Sequence, residues 1–462
     1  MAMTMITELG LRVARKLRPP DRDGIPVAPG WVPGVGHVPA MMADLPRVCA
    51  EGDKLGPLFW LNMLPGKWVL ASVREEAFSV FRNRETSSAN FARNAEVIVG
   101  RSVLGVDGDP HRRMRGALNA PFTPKGLTAS RAGALIAEVI EPGVARWVAL
   151  DEVPISDATR ELAVDVIFRM MGIPPQNLAR WREAFEEYLL SAFPLRWNLP
   201  GLPYRRGLNA KRWIDERLLR IADEARKQDP NSSMVAGMVR GRDEQGRGLS
   251  EGEMLDNLRI LVLAGHETTA STMAWALLYL GLDRPRWRRL VDEALAADRP
   301  PATPEELSRF PYAEGIFREA LRLHPPVTLD LRTTEQRFSL FGRSIEPGQE
   351  VGVALHNLSR NADRYPDPEK FVPERWLARE KKPGPIETAQ FGGGPHFCLG
   401  YHVAWLEAVL FLVCVARTMG ARGMAPLTVG GSLPQPTYMP VQRPPKSARI
   451  RFETWRSGDE KK

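Results

Sequence analysis

The sequence is poor in cysteine and lacks a long apolar run near its start. It holds 3 cysteines in 462 residues, which is too few for a disulfide framework and typical of a reducing compartment. None of the cysteines shows the Cys-x-x-Cys spacing of a structural zinc site. Residues 1–19 alternate short apolar runs with basic residues, so no membrane span is expected there. We therefore expect a cytoplasmic protein without a transmembrane anchor, with a helix lying on a membrane surface as the alternative for this segment.

Motifs for nucleic-acid binding and linkers between domains are also missing. The net charge is +8, but the bases form short clusters such as Arg112-Arg113, which are usually solvated surface. No zinc finger, RNA-binding aromatic motif or long basic arm accompanies them, so nucleic acid is not an expected partner. Since no Ser/Gly-rich tract or internal repeat divides the chain, we expect an N-terminal extension over residues 1–24 and a single domain over 25–462.

Helical periodicity dominates the rest of the chain. Apolar residues at three- and four-residue spacing predict helices over 130–150, 157–171, 178–192, 209–228, 251–282, 285–297, 304–323 and 401–418. Alternating patterns predict strands over 59–63, 68–71, 338–340 and 351–354 and a hairpin over 436–451. The chain is therefore expected to be mainly α, with β-rich parts near 55–75, 325–355 and 435–455.

One cysteine follows a glycine-rich turn. Residues 391–400, Phe-Gly-Gly-Gly-Pro-His-Phe-Cys-Leu-Gly, precede a helical pattern that begins at Tyr401. Unpaired backbone N–H groups and the dipole at a helix N-terminus favour a thiolate, and glycines would let a large flat ligand approach the backbone. Taken alone, Cys398 has the alternative of being an inert buried residue, as most single cysteines are.

Two further motifs lie on predicted helices. Residues 264–269, Ala-Gly-His-Glu-Thr-Thr, place an acid and hydroxyls in an apolar run, where a buried carboxylate needs a partner. The alternative is that Glu267 faces solvent or an arginine and that Thr268 bonds back to the carbonyl of Ala264. A zinc-protease motif fails because residue 270 is alanine. Glu319 and Arg322 are spaced for an ion pair on one helix face.

Together these motifs resemble those of the cytochrome P450 superfamily. Phe391, Gly394, Cys398 and Gly400 match its heme-binding loop, Phe-x-x-Gly-x-x-x-Cys-x-Gly. Residues 264–269 match its oxygen-activating motif, and Glu319 with Arg322 match its Glu-x-x-Arg motif, in the family's order. The resemblance spans roughly residues 25–420. It implies a helix-rich, triangular-prism fold of one domain, mainly α with a minor β region, that binds heme b.

The resemblance also assigns roles to individual residues. Cys398 would be the axial ligand of the heme iron, and Glu267 and Thr268 would be catalytic. The implied heme-binding residues are His111, Arg115, Arg332, His396, Phe391 and Gly400. Glu319, Arg322 and Arg375 would form one buried structural network. The implied substrate pocket, which core packing would make equally apolar, consists of Phe91, Val97, Ile98, Leu263, Ala264, Val327 and Leu329.

The function implied is that of a soluble bacterial heme-thiolate monooxygenase. It would hydroxylate or epoxidise a hydrophobic small molecule with O2 and two electrons from an external ferredoxin or flavodoxin with its reductase, docking near Arg112 and Arg113. A monomer is expected. The alternatives are a peroxide-driven or rearranging heme-thiolate enzyme and a non-catalytic heme ligand sensor. Glu267 and Thr268 argue against them, because a sensor needs no proton relay. Fatty acid, terpenoid, steroid and polyketide substrates stay open.

Overall fold

Helices make up most of the chain that the computed structural model describes, which is residues 21–64, 66–82, 86–88, 96–192, 197–377, 384–438 and 441–454. In chain order the α-helices are α1 (Val38–Asp53), α2 (Glu96–Val99), α3 (Gly108–Asn119), α4 (Pro124–Ala129), α5 (Ala132–Trp147), α6 (Ile155–Met170), α7 (Leu178–Leu189), α8 (Pro203–Ala225), α9 (Met234–Arg240), α10 (Glu251–Leu280), α11 (Arg284–Ala296), α12 (Pro311–Leu323), α13 (Leu355–Leu358) and α14 (Tyr401–Gly420). The expectation of a mainly α fold is confirmed.

Three small sheets complete the fold. In chain order the strands are β1 (Phe59–Leu64), β2 (Lys67–Ser72), β3 (Thr86–Ser87), β4 (Val153–Pro154), β5 (Asp330–Thr334), β6 (Phe338–Leu340), β7 (Arg343–Ile345), β8 (Glu350–Val353), β9 (Met424–Thr428) and β10 (Arg449–Thr454). The largest sheet has the order β1-β2-β8-β5-β3, in which only β2 and β8 pair in parallel. It joins the N-terminal part of the chain to the part after α12.

The hairpin predicted over 436–451 is wrong. In its place the described residues show one isolated bridge, between Thr437 and Arg443, and β10 pairs with β4 and β9. Prolines explain the difference, because Pro436, Pro444 and Pro445 lack the N–H that a ladder requires. Helix α1 was also missed, since Pro46 interrupts its pattern and the backbone kinks beside it.

Helix α10 is the centre of the main core. It begins with a capping box, in which Glu253 N–H donates to Ser250 Oγ and Ser250 N–H donates to the Glu253 carboxylate. Helix α6 packs against it at Gly265, where a Cβ would lie 2.6 Å from Ile167 Cδ1. Gly265 therefore permits close helix packing, and α10 runs through it without a break.

Helix α14 fills the core on another side of α10. Among the described residues it is the one helix long and apolar enough to cross a membrane, but 72% of its apolar window is buried inside the fold. Its apolar side chains therefore pack against protein.

A fully buried carboxylate ties α12 to the chain that leads to the cysteine loop. Glu319 pairs with Arg322 at 2.8 Å and with Arg375 at 2.9 Å. Its oxygens also accept hydrogen bonds from the indole of Trp376 and the backbone N–H of Val372, each at 2.9 Å. The structure thus brings the three network residues together and adds Trp376, which the sequence did not reveal.

The Arg322 guanidinium extends this network to main-chain carbonyls. It donates to Ser359 O at 3.0 Å and Pro368 O at 2.7 Å. Both Glu319 and Arg322 have fully buried side chains, so nearly every polar atom of the pair is satisfied by protein rather than water.

We predict that Glu319→Gln destabilises the protein strongly. The substitution keeps the size of the side chain, but it leaves the Arg322 guanidinium buried without a carboxylate. The free energy of unfolding should therefore fall by about 3–5 kcal/mol. Urea denaturation followed by circular dichroism measures the change.

Glu51→Gln is the matched control, because Glu51 pairs with Lys54 at 2.7 Å on the exposed surface. An exposed pair of this kind contributes about 1 kcal/mol or less. Equal losses from the two substitutions would contradict the role given to the buried network.

Candidate active site

The cysteine loop lies between a short 3-10 helix, Gly394–His396, and α14, which begins at Tyr401. The backbone N–H of Cys398 donates to the carbonyl of Phe391 at 2.9 Å, which closes the loop. The Phe391 and Phe397 rings both pack against Tyr401, with centroids 4.7 Å and 5.3 Å from it. The cysteine is therefore held at the start of a buried helix beside an aromatic cluster.

Two glycines of the loop have different reasons to be glycine. Gly394 has φ +62°, and a Cβ there would overlap the carbonyl oxygen of Phe81. At Gly400 a Cβ would meet nothing within 4 Å except Cys398 Sγ, at 4.0 Å. Gly394 is thus required by contact with protein, whereas Gly400 leaves room beside the sulfur.

Burial raises the pKa of the Cys398 thiol above its ordinary value, while the Gly400 N–H and the Arg115 charge offset part of this rise. The sequence predicted the contribution of the backbone N–H, but not that burial outweighs it. A metal ion bound to the sulfur would deprotonate the thiol outright. Burial thus opposes thiolate formation at Cys398 more than the helix terminus favours it.

Two histidines lie side by side near this loop. The ring centroids of His111 and His396 are 4.1 Å apart, and His396 Nε2 lies 2.8 Å from Asp107 Oδ1. His111 is buried, and its Nε2 has no hydrogen-bond partner among the described residues. Burial first, and then the charge of His396, lower the pKa of His111 to about 4. The His111 ring is therefore neutral near pH 7.

Two arginines also lie near His111 and the cysteine loop. Arg115, on α3, acts electrostatically on Cys398 and forms no ion pair with a residue that the structure describes. Arg332, on β5, lies 3.5 Å from Asp330. Both guanidinium charges also lower the pKa of His111. The bases predicted to bind heme therefore converge near the thiol, and two carboxylates that the sequence did not reveal, Asp107 and Asp330, partner two of them.

Helix α10 presents a less buried face in its otherwise buried middle. Ala264 is exposed, while Leu263 and Thr268 are half-buried. Thr268 Oγ1 donates to the carbonyl of Ala264 at 2.8 Å, the contact that their spacing suggests. One turn further along, Thr272 Oγ1 donates to the carbonyl of Thr268 at 3.2 Å. The hydrogen bond thus fixes the Thr268 hydroxyl on the less buried face of α10.

The Glu267 side chain, unlike Ala264 and Thr268, lies in a buried environment. The carboxylate is buried and accepts hydrogen bonds from Arg160 at 2.8 Å and Arg443 at 3.2 Å. Burial alone would raise its pKa, but the hydrogen bond and charge of His266 and the Arg160 guanidinium outweigh burial and hold the pKa at about 2. Glu267 is therefore ionised at neutral pH, and its two arginine partners come from distant parts of the chain.

The remaining predicted pocket residues are dispersed. Phe91 lies outside the described residues. Val97 and Ile98, on α2, are half-buried, and α2 contacts α10. Val327 is 38% exposed. Leu329 packs against Gly352 on β8, where a Cβ would lie 3.0 Å from Leu329 Cδ1, as core packing requires. The structure thus places Val97 and Ile98 on a helix that contacts α10, whereas Leu329 packs against the sheet.

Comparisons with known proteins agree on one family. A family model for cytochrome P450 matches residues 26–418. A cytochrome P450 BJ-4 homolog from Sinorhizobium fredii is 38% identical over 93% of this chain and 97% of its own length. Cyclooctat-9-en-7-ol 5-monooxygenase from Streptomyces melanosporofaciens is 28% identical over 87% of this chain and 91% of its own length.

A solved structure shows the same fold. Retinoic acid-bound cyanobacterial CYP120A1 aligns with a TM-score of 0.76 and 25% identity, covering 93% of this chain and all of that chain. The chain belongs to the cytochrome P450 family. It is thus a heme-thiolate monooxygenase of bacterial type that uses heme b and O2 and takes electrons from a redox partner.

The residues around Cys398 fit a heme. The Arg115 guanidinium and the buried His111 Nε2 are without partners among the described residues, and donors of this kind suit the acidic side chains of heme. Gly400 leaves space beside the sulfur. A thiolate is also a recognised axial ligand of heme iron.

We predict that Gly394→Ala impairs heme retention more than a matched glycine substitution. Alanine at this position would be strained by its positive φ and would also displace the Phe81 carbonyl. The expected cost is about 3 kcal/mol or more, since the left-handed conformation alone costs about 1–2 kcal/mol. Transfer of heme to apomyoglobin, followed by absorbance, measures retention.

Gly348→Ala supplies the control, because Gly348 has φ +80° and nothing within 4 Å of a Cβ. It shares the conformational strain without the clash and lies away from the cysteine loop. Equal rates of heme loss from the two variants would show that the Phe81 contact is unimportant.

Proposed function

We propose that this P450 oxidises a hydrophobic small molecule, with Cys398 as the axial ligand and Arg115, His111, Arg332 and His396 as the heme-binding bases. The observation that carries the proposal is the Arg115 charge, which acts on the half-buried Cys398 and pairs with no carboxylate in the part of the chain that the structure describes. Bound heme with a thiolate ligand supplies O2 activation and insertion of one oxygen atom into a C–H or C=C bond. The aromatic cluster of Phe391, Phe397 and Tyr401 would exclude water from the sulfur.

Thr268 and Glu267 would divide the handling of protons. The Thr268 hydroxyl holds its proton toward Ala264 O on the less buried face of α10, where a substrate would lie. Glu267 is ionised and bound by two arginines, so it would attract protons toward α10 and pass them on when these contacts rearrange. This arrangement favours oxygenase chemistry over a ligand sensor, which needs no such pair.

We predict that Thr268→Ala uncouples electron consumption from product formation. Heme content should be unchanged, while the product formed per electron consumed falls by roughly tenfold or more, since a positioned proton donor contributes about 100-fold or more to a rate. The missing equivalents should appear as hydrogen peroxide. Simultaneous assay of NAD(P)H, peroxide and product measures the split.

Thr272→Ala is the control for this substitution. Thr272 makes the same kind of hydroxyl-to-carbonyl contact one turn along α10, but it is buried. An unchanged yield of product per electron in Thr268→Ala would refute the role of Thr268.

The substrate side is apolar where the structure describes it. Leu263 and Ala264 on α10 and Val97 and Ile98 on α2 offer methyl groups rather than charges, which favours a hydrophobic ligand. The relatives point the same way, since one is named for cyclooctat-9-en-7-ol and another was solved with retinoic acid. These names support an apolar terpenoid as the substrate class. A substrate screen would compare a terpenoid with a fatty acid, a steroid and a polyketide.

The electron donor would be a ferredoxin or flavodoxin with its reductase. Arg112 is exposed on α3, beside the residues that approach Cys398, and it pairs with no described carboxylate. Arg113 does not contribute as expected, because it donates to Gly248 O at 2.7 Å and pairs with Glu253. The net charge of +8 suits an acidic partner of a cytoplasmic, monomeric enzyme.

We predict that Arg112→Glu slows reduction by an acidic ferredoxin at low ionic strength by about fivefold, because charge complementarity raises association rates. The difference from the unmodified protein should shrink above about 0.5 M salt, where charges are screened within a few ångströms. Stopped-flow reduction under carbon monoxide measures the rate.

Arg220→Glu makes the same charge change at an exposed position on α8 and should leave the rate within about twofold. Equal slowing by both variants, or no dependence on salt, would remove the support for docking at Arg112.

A further inference from the structure

A tyrosine hydroxyl holds the backbone of the segment that carries Val97 and Ile98. We call residues 96–103, which are α2 and the turn after it, the 96–103 segment. The Tyr188 hydroxyl on α7 lies 3.1 Å from the carbonyl oxygens of both Val97 and Ile98. Burial raises the pKa of Tyr188 to about 12, so the phenol keeps its single proton and donates it between the two carbonyls.

The other end of the 96–103 segment is bound to α10. The backbone N–H of Arg101 donates to Asp256 Oδ2 at 2.8 Å, and that of Val103 donates to Asn257 Oδ1 at 2.9 Å. Gly100 has φ +53°, and a Cβ there would clash with the Asp256 carboxylate. The second half of the segment is therefore hydrogen-bonded to α10, while its first turn is hydrogen-bonded to Tyr188 on α7.

Arg259 connects these two attachments. Its buried guanidinium pairs with Asp256 on its own helix and with Asp215 on α8, and its charge acts on the Tyr188 hydroxyl. Helices α7, α8 and α10 thus meet at one buried polar cluster, Tyr188, Asp215, Asp256 and Arg259. This cluster lies directly behind the 96–103 segment.

We propose that Tyr188 is a positioning residue for substrate, which it serves by fixing where Val97 and Ile98 stand beside α10. The inference rests on the proposed function in one respect, the assignment of these two side chains to the substrate pocket. It adds that packing alone does not set the positions of Val97 and Ile98. The hydrogen bond from the Tyr188 hydroxyl to their main-chain carbonyls also sets them.

Removal of the hydroxyl leaves two carbonyls without this donor. Val99 anchors the segment from the other side, since it is 1% exposed, so the segment would shift rather than detach. The half-buried Val97 and Ile98 side chains would then lose their fixed positions, and a ligand that touches them would lose contact area. A ligand too small to reach them would not sense the change.

The test compares two azoles that both bind heme iron through nitrogen. Imidazole is small, whereas phenylimidazole adds an apolar ring that reaches the pocket walls. In Tyr188→Phe we expect the dissociation constant of phenylimidazole to rise about fivefold, the factor that loss of one hydrogen bond typically gives, while that of imidazole stays within about twofold. Soret-band titration of the heme-loaded protein measures both constants.

Tyr279→Phe is the matched control. The hydroxyl of the half-buried Tyr279 also makes a hydrogen bond, 3.0 Å from His324 Nε2, but it makes no hydrogen bond to the 96–103 segment. Both azoles should bind this variant as they bind the unmodified protein. Should Tyr188→Phe not retain heme, Asn257→Ala, which frees the same segment from α10, is measured in its place with the same expectation.

The outcomes separate the two proposals. An unchanged ratio of the two dissociation constants in Tyr188→Phe, or an equal weakening of both azoles, would overturn the positioning role and leave the heme site standing. Failure of unmodified protein to bind either azole at iron would overturn the proposed function itself, and the positioning role with it.

Discussion

The Arg115 charge, which pairs with no carboxylate among the described residues, acts on the half-buried Cys398, and the other bases of the site lie around these two residues. The half-buried Arg115 pairs with no described carboxylate, and a charge that is partly removed from water is stabilised by a counter-charge. His396 and Arg332 have Asp107 and Asp330. The two acidic side chains of heme would neutralise the charge of Arg115 and accept a hydrogen bond from the neutral His111 ring. Three distant stretches of chain, on α3, β5 and the cysteine loop, meet here, so heme binding would stabilise the fold itself.

Contacts within one helix were predictable from the sequence, and contacts between distant elements were not. The spacing of Glu319 and Arg322 and that of Ala264 and Thr268 place each pair on one helix face, and the structure shows both contacts. Glu267 is different. Its partners Arg160 and Arg443 come from α6 and from the segment before β10, and no local pattern specifies which arginine a buried carboxylate will meet.

The same difference between local and long-range contacts explains which helices and strands could be predicted from the sequence. Long periodic helices such as α10 and α14 end within a few residues of the predicted bounds, because a buried apolar face repeats over many turns. Strands β5 and β9 were not predicted, because burial does not alternate regularly along them and their pairing depends on the strands beside them. At Gly265 the sequence shows only that a side chain is missing, whereas the fold shows the neighbouring Ile167 side chain that needs the space.

The pKa of Glu267 depends both on its neighbour His266 and on such long-range partners. Burial is the largest single influence on its pKa and acts upward, yet His266 and Arg160 hold the pKa at about 2. A carboxylate with so low a pKa accepts a proton rarely near pH 7. Loss of the Arg160 contact would remove part of what opposes burial, so the pKa of Glu267 would rise. Movement of α6, which carries Arg160, would therefore favour protonation of Glu267 and couple this helix to proton delivery on α10.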